Sequence, residues 1–283
     1  MIHRQSSSYP VRLMCRVLEV SPSGYYAWIE RQPSVSEKRH DELAAEIRTI
    51  HAAVKERYGS PRMHKELVAQ GHACSRNTVA KIMKGLLIRA ISHKKFRVST
   101  TDSNHDSPIA ANLVDQKFEA TKPNEIWLTD ITYIPTRQGW LYLAAVEDLY
   151  SRRVVGWSMG TTMESRLVVD ALEMAVKNRI PEAGLVAHSD RGSQYASEHY
   201  RRALAERGIE CSMSRRGNCY DNAPMESFFA SLKKELVHHE DYATIAVARA
   251  SVFEYIEVFY NRIRRHSSLG YVAPAEFECS EHP

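Results

Sequence analysis

No stretch of this 283-residue chain approaches the roughly 18 consecutive apolar residues that a bilayer-spanning helix needs, which sets aside a membrane protein. The first eight residues carry no apolar run of the signal-peptide kind, and a cytoplasmic protein is expected. Cysteine is scarce and scattered. The five, at positions 15, 74, 211, 219 and 279, form no CxxC pair, so reduced thiols are expected, with neither a disulfide framework nor a structural zinc site. What remains is an ordinary globular balance, 43% apolar and 25% charged, sufficient for one large domain or two to three smaller ones. The small net charge, +4, hides an asymmetry. Residues 1–100 carry 18 Lys/Arg against 8 Asp/Glu, and the rest carry 20 against 26. A basic front on a mildly acidic back suggests a polyanion-binding module joined to a part with another task.

The first hundred residues read as helices. Residues 11–19 form a short one, and Ser21-Pro22 offers an N-cap and a first-turn proline for the next, through Tyr25, Tyr26 and Trp28. Pro33, Ser34 and Ser36 mark 31–39 as a linker, after which Asp41 is expected to cap a helix with Leu43, Ile47, Ile50 and Val54 inward. Tyr58-Gly59-Ser60-Pro61 ends it and starts a helix over 62–69. A turn at Gln70-Gly71-His72 and a cap at Ser75 lead to a third over 76–87. This pair has the pattern of a helix-turn-helix. Val79, Ile82, Met83 and Leu86 face inward, leaving Arg76, Asn77, Lys81 and Lys84 outward, the side chains that phosphate and major-groove contacts need. A small bundle with a solvated basic face reads the same way. Residues 91–122 lack periodicity and read as a basic linker.

From residue 125 the pattern changes to strands: 126–134, 140–149 and 153–159 form a meander turning at Gln138-Gly139. A helix over 164–179, a buried strand at 185–188, a helix over 197–207, a strand at 209–213, a loop over 214–222 and a helix over 224–237 follow. This is an α/β domain with a mixed sheet. A last helix, about 244–264, ends in the basic run Arg262-Ile263-Arg264-Arg265-His266.

Three acids sit in unusual places. Asp130 lies inside an apolar strand, Asp190 directly follows a buried one, and Glu226 is in the first turn of a helix. Gathered at one sheet edge they would repel one another unless a divalent cation neutralised them, and hard oxygen donors suit magnesium or manganese. Two such ions roughly 3.5–4 Å apart can activate a water or a 3′-hydroxyl and stabilise a leaving oxygen. Singly, each acid also fits a plainer role, pairing with an arginine or favouring a helix dipole. Asp148 reads as structural and Asp221 as a loop or capping residue.

Three blocks carry a resemblance: Trp127-Leu128-Thr129-Asp130-Ile131-Thr132-Tyr133, His188-Ser189-Asp190-Arg191-Gly192-Ser193-Gln194-Tyr195, and Asp221-Asn222-Ala223-Pro224-Met225-Glu226-Ser227-Phe228-Phe229. They resemble the active-site blocks of bacterial insertion-sequence transposases related to retroviral integrases. Thirty-five residues separate Asp190 from Glu226, the spacing of the Asp, Asp-35-Glu class. Lys233, seven residues after Glu226, matches that family's basic residue. Ser23-Gly24-Tyr25-Tyr26-Ala27-Trp28, Tyr58-Gly59-Ser60-Pro61-Arg62 and the tail from Tyr260 to Pro274 also resemble the family, so the likeness spans about residues 10–277. The chain is similar to the downstream-frame part of the insertion-sequence family three transposases.

The resemblance implies a ribonuclease-H-like catalytic core, a mixed sheet flanked by helices, preceded by an all-α helix-turn-helix region. It implies metal-dependent 3′-end cleavage and strand transfer with two Mg2+ (or Mn2+) ions per site on Asp130, Asp190 and Glu226, and no covalent protein–DNA intermediate. Lys233 shares a helix face with Glu226 and is expected at a phosphate. Asn222 and Gln194 are further polar contacts or loop-stabilising residues. The implied partners are double-stranded DNA, both element terminal inverted repeats and target, a second copy of the chain, and the upstream-frame product that carries a further helix-turn-helix and a leucine zipper. The retroviral His/Cys zinc spacing and a heptad run are missing here. Expected localisation is the bacterial cytoplasm, on the nucleoid. A non-catalytic DNA-binding regulator and a nuclease on the same fold are the alternatives. The expected divisions are 1–33, an N-terminal helical segment; 34–92, the helix-turn-helix domain; 93–122, the linker; 123–240, the catalytic core; and 241–283, a C-terminal helix and basic tail.

Overall fold

Short helices open the chain: α1 (Ile2–Gln5), α2 (Val11–Val17) and α3 (Pro22–Ile29), gathered around Ile2, Cys15 and Tyr25. The computed structural model describes residues 1–91, 108–215 and 219–281, which divide into two units, Met1–Arg89 and Ala90–Pro283. Ser21 caps α3 as expected, accepting from the Gly24 amide at 3.0 Å. The next helix corrects the expectation of a linker over 31–39 and a cap at Asp41. α4 (Val35–Ala53) starts seven residues earlier, because Ser34 and Glu37 form a reciprocal capping box. The polarity of this stretch belongs to a solvated first turn rather than to a linker.

α5 (Ser60–Ala69) and α6 (Arg76–Gly85) pack with α4 through Leu43, Ile47, Ile50, Met63, Leu67, Val79, Ile82 and Met83, all buried. Ser75 caps α6 through the Thr78 amide at 3.1 Å. Arg76, Asn77, Lys81 and Lys84 are exposed, on the face the sequence reserved for them.

In the second unit β1 (Ile126–Thr136), β2 (Gly139–Asp148) and β3 (Val154–Gly160) form the expected antiparallel meander. α7 (Ser165–Arg179) crosses back over them and buries Leu167, Val168, Ala171, Leu172 and Ala175. β4 (Val186–Ser189) then pairs parallel to β1. The short α8 (Ser193–Ala196), not foreseen, and α9 (Glu198–Ala205) lead to β5 (Glu210–Met213), parallel to β4. Among the described residues the sheet has five strands in the order β3-β2-β1-β4-β5, a mixed ribonuclease-H-like sheet flanked by helices.

Gly156 sets the distance between β3 and α7. A Cβ there would stand 2.3 Å from the Ala171 carbonyl oxygen, a backbone atom with no rotamer to yield. Gly156→Ala is therefore expected to cost about 3 kcal/mol, at the upper end of overpacking penalties. Chemical denaturation of the variant checks this, and unchanged stability would mean α7 can lift freely.

α10 (Ala223–Glu235) lies against β1 and is followed by α11 (Ile245–Phe253). The single helix expected over 244–264 instead widens into π-helical turns at Glu254–Tyr260, which bury Tyr255, Ile256, Phe259 and Tyr260. A further helix, α12 (Pro274–Glu281), was not foreseen in the tail. It is fastened by Glu278, which accepts from Ser151 Oγ at 2.6 Å and Arg153 at 2.7 Å and also pairs with Arg179.

The expected basic linker needs revision as well. Residues 92–107, including the basic His93–Arg97 stretch, lie outside the described residues. From 108 onward the chain is a strap laid on the sheet unit. The Leu113 amide donates to Ser212 Oγ at 2.9 Å, the Met213 amide donates to the Ala111 carbonyl at 3.3 Å, and Val114 is buried. The strap has no periodic pattern, so nothing local in the sequence announces it.

Candidate active site

Strand register brings the two aspartates together. β1 and β4 run parallel, and their last paired couple is Leu128 with His188. Asp130 and Asp190 each lie two residues farther along, on the same face by the two-residue repeat of a strand. β4 ends there, so beyond residue 128 β1 has an edge that no strand among the described residues occupies. The helix α10 lies by this edge, with Glu226 exposed in its first turn.

The charges reflect the same convergence. Burial pushes the Asp130 carboxyl well above the usual carboxylate range, and the negative charges of Asp190 and Glu226 push it further; the Ile131 amide and the Lys233 ammonium oppose them. The Ile131 amide donates to Asp130 Oδ1 at 2.7 Å, and the Gly192 amide donates to Asp190 Oδ1 at 2.9 Å. Gly192 packs tightly here: a Cβ would stand 3.0 Å from Asp190 Oδ1 and 3.1 Å from Gln194 Oε1, and these side-chain ends would have to give way. Among the described residues no three His, Cys, Asp or Glu side chains form a ready-made metal cage. Asp130 and Asp190 are the half-buried pair of the site, and Glu226 is its exposed member.

Lys233 stands two turns beyond Glu226, half-buried. Its ammonium lies 4.3 Å from the centroid of the Tyr133 ring, whose other neighbour is Trp140 at 5.0 Å. Burial lowers its pKa while Asp130 acts in the opposite direction. This aromatic seat was not foreseen; residues 133 and 140 meet only through the β1–β2 register.

The two polar residues expected near DNA are both engaged elsewhere. Gln194 donates to the Met163 carbonyl at 2.9 Å. Asn222 is buried and donates to the Thr129 carbonyl at 3.1 Å, one residue before Asp130. Both bonds hold local structure beside the aspartates. His188, in the block that carries Asp190, lies buried between Ser212 Oγ at 2.8 Å and Ser214 Oγ at 3.1 Å. Burial lowers its pKa to about 4, so the ring is neutral and structural.

Asp148 is structural as expected, accepting from the Asn124 and Tyr150 amides with Arg179 at 3.6 Å. Asp221, expected as a loop or capping residue, is more than that. It is fully buried, and its carboxylate accepts from Asn112, Gln116 and Arg215. The Arg215 guanidinium holds it far below the usual carboxylate range. Residues 216–218 of the intervening loop lie outside the described residues.

The chain is similar to known proteins over nearly its whole length. Family models described as "Integrase core domain" match residues 120–219 and 207–274, and one described as "HTH-like domain" matches 38–96. The chain is 45% identical over 269 residues to the insertion element IS600 uncharacterized 31 kDa protein of Shigella sonnei, covering 95% of this chain and 98% of that one. It is 42% identical over 279 residues to the transposase InsF for insertion sequence IS3A of Escherichia coli K12, covering 98% and 96%. The chain belongs to the IS3-family transposases. The IS3-family chain is thus a transposase of the DDE polynucleotidyl-transferase type, with an HTH-like helical front. Among solved structures, a simian T-cell lymphotropic virus intasome aligns with 81% of this chain and 73% of its own at a TM-score of 0.46 and 14% identity. The HTLV-2 integrase catalytic core domain in complex with magnesium aligns with 56% of this chain and 99% of its own at 0.42 and 14%. No helix among the described residues is long and apolar enough to cross a membrane.

Proposed function

We propose that this IS3-family transposase cleaves the 3′ ends of its element and joins them to target DNA by phosphoryl transfer at Asp130, Asp190 and Glu226. The observation that carries the reading is the register match of the two aspartates beside the helix that bears Glu226. The donor set is all carboxylate oxygen, and its members repel one another, so it fits hard divalent cations of the magnesium and manganese class. Asp130 and Asp190 would hold two ions between them, with Glu226 completing one site. Such ions neutralise charge on the attacking and leaving oxygens of a phosphodiester.

The chain's own residues supply the rest. Hydrogen bonds from the Ile131 and Gly192 amides hold one oxygen of each aspartate in place. Lys233, seated on Tyr133, places a positive charge beside Asp130 where a phosphate can be held. Water opens the phosphodiester at the element end and leaves a 3′-hydroxyl. That oxygen then forms a bond to a target phosphorus as the target's 3′-oxygen leaves, so no serine or tyrosine ester is needed. Joining two ends to one target calls for a homo-oligomer acting on the nucleoid, and the upstream-frame product is the further partner for end recognition. Incubating the chain with end DNA, target plasmid and Mg2+ or Mn2+ tests the reading. Joined product is expected from ends with a 3′-hydroxyl and none from 3′-deoxy ends; equal product from both overturns it.

For the helical front, Arg76→Ala and Lys81→Ala on α6 are each expected to weaken binding to end DNA. Each should also reduce the slope of log affinity against log salt by about 0.9 for every phosphate that the removed side chain neutralises. Filter binding at several salt concentrations checks this, and an unchanged slope removes α6 from the interface.

A further inference from the structure

The first turn of α10 is held by side chains that do not cap it. Asn222 occupies the N-cap position, where an asparagine normally accepts from the helix's free amides, yet it makes no cap bond. Its amide nitrogen donates instead to the Thr129 carbonyl of β1, and its Oδ1 has no hydrogen-bond partner among the described residues. A buried polar atom left in that state costs stability, and the capping contribution is forgone as well. Both costs are tolerated where position matters more than local stability.

Asp221, the preceding residue, fixes the other side. Its Oδ1 accepts from Gln116 Nε2 at 2.9 Å and its Oδ2 from Asn112 Nδ2 at 3.1 Å, both from the strap. Arg215, at the end of the β5 segment, donates to the same carboxylate through its backbone amide at 2.8 Å and through its guanidinium. Asn112 is itself fixed, since its Oδ1 accepts from the Val114 and Asp115 amides. Two consecutive side chains thus tie one end of α10 to the aspartate strand and to a segment more than a hundred residues away in sequence.

We propose that Asp221 is a positioning residue for Glu226, and that the strap around Asn112 and Gln116 is the part that keeps it in place. When the strap is seated, the first turn of α10 is fixed and Glu226 is presented to the aspartate pair. When the strap is released, the turn loses the Asn112 and Gln116 ties to Asp221 and Glu226 loses its set position. This rests on the catalytic reading of Glu226 given above; the clamp itself is a property of the fold.

The test uses the full chain with Asp221→Asn and, as a variant that leaves the buried carboxylate intact, Gln116→Ala at an exposed position. Hydrogen exchange is followed at the amides of 223–228 and 112–116, with the β1–β2 amides as an internal reference. Joining is measured as separate kcat and KM for end DNA. Asp221→Asn is expected to speed exchange in both segments at least about tenfold and leave the reference amides unchanged. It should also lower kcat by a similar factor with KM within about twofold. Gln116→Ala should shift the same quantities in the same direction by less. A variant that merely unfolds would speed the reference amides too, and Gln116→Ala then decides. Exchange at 223–228 that stays at the unaltered rate in Gln116→Ala, while 112–116 is released, overturns the proposal. Absence of joining by the unaltered chain, alongside accelerated exchange in the variants, supports the clamp and overturns the catalytic reading alone.

Discussion

Asp130→Asn, Asp190→Asn and Glu226→Gln are each expected to lower joining of a pre-cleaved DNA end by at least about 10³-fold, about 4 kcal/mol of transition-state stabilisation. Binding of the same DNA should stay within about twofold. The three amides keep the size of the acids and remove only the anionic oxygens. Residues that act as one unit are not additive, so the Asp130→Asn/Asp190→Asn double variant should lose little more than either single one. Stability separates this reading from a structural one. The folded chain raises the Asp130 pKa through burial and the charges of Asp190 and Glu226. The folded form therefore binds that proton more tightly than the unfolded form, and folding loses stability as pH rises through the shifted range. Without divalent ions, Asp130→Asn should melt at a higher temperature than the unaltered chain at neutral pH. With Mn2+ added, the unaltered chain should gain in melting temperature and the variant should not. A variant both inactive and less stable would mark Asp130 as a structural group.

The second large effect concerns the tail. Arg264 belongs to the basic run that ends the last expected helix, yet its side chain is only 4% exposed and that of its partner Glu235 is 10%. Its guanidinium forks onto both Glu235 oxygens at 2.8–3.1 Å and reaches Ser231 Oγ at 2.9 Å, while Tyr255 donates to Glu235 Oε2 at 2.9 Å. Glu235 is the last residue of α10, so this pair fastens the end of the helix opposite Glu226. Removing one member strands a buried charge, and Arg264→Ala is expected to cost about 3–5 kcal/mol. Arg264→Lys should recover little, because an ammonium cannot reproduce the planar fork. Replacing both with leucine should cost less than Arg264→Ala alone. Denaturant unfolding gives the three values; a loss below about 1 kcal/mol for Arg264→Ala would place the pair among weak surface contacts.

Local chemistry made much of this legible. The strands around Asp130 and Asp190 announce themselves through β-branched and aromatic runs, and an acid inside or directly after such a run is conspicuous. The helix-turn-helix was equally open, because Ser75 is a cap and Val79, Ile82 and Met83 repeat on one face. What stayed hidden depends on partners far away in sequence. Asp221 looks like a turn residue until the strap residues 112 and 116 arrive beside it. Nothing local pairs Arg264 with Glu235 or Glu278 with Arg179. The early start of α4 was within reach, since Ser34 and Glu37 are spaced as a capping box, but Pro33 and the neighbouring serines read more strongly as a break. For α10, the motif supplied Glu226, while only the fold shows that Asn222 leaves its cap to hold the β1 backbone.

The most direct test is an exchange of ligand chemistry at Asp190. A thiolate is a softer donor than a carboxylate and favours Mn2+ over Mg2+. If Asp190 holds an ion during joining, Asp190→Cys should be inert in Mg2+ and regain at least about tenfold activity in Mn2+. The unaltered chain should show no comparable preference. Joining by Asp190→Cys at the unaltered rate in Mg2+ would contradict the assignment of Asp130, Asp190 and Glu226 as one metal-holding catalytic centre.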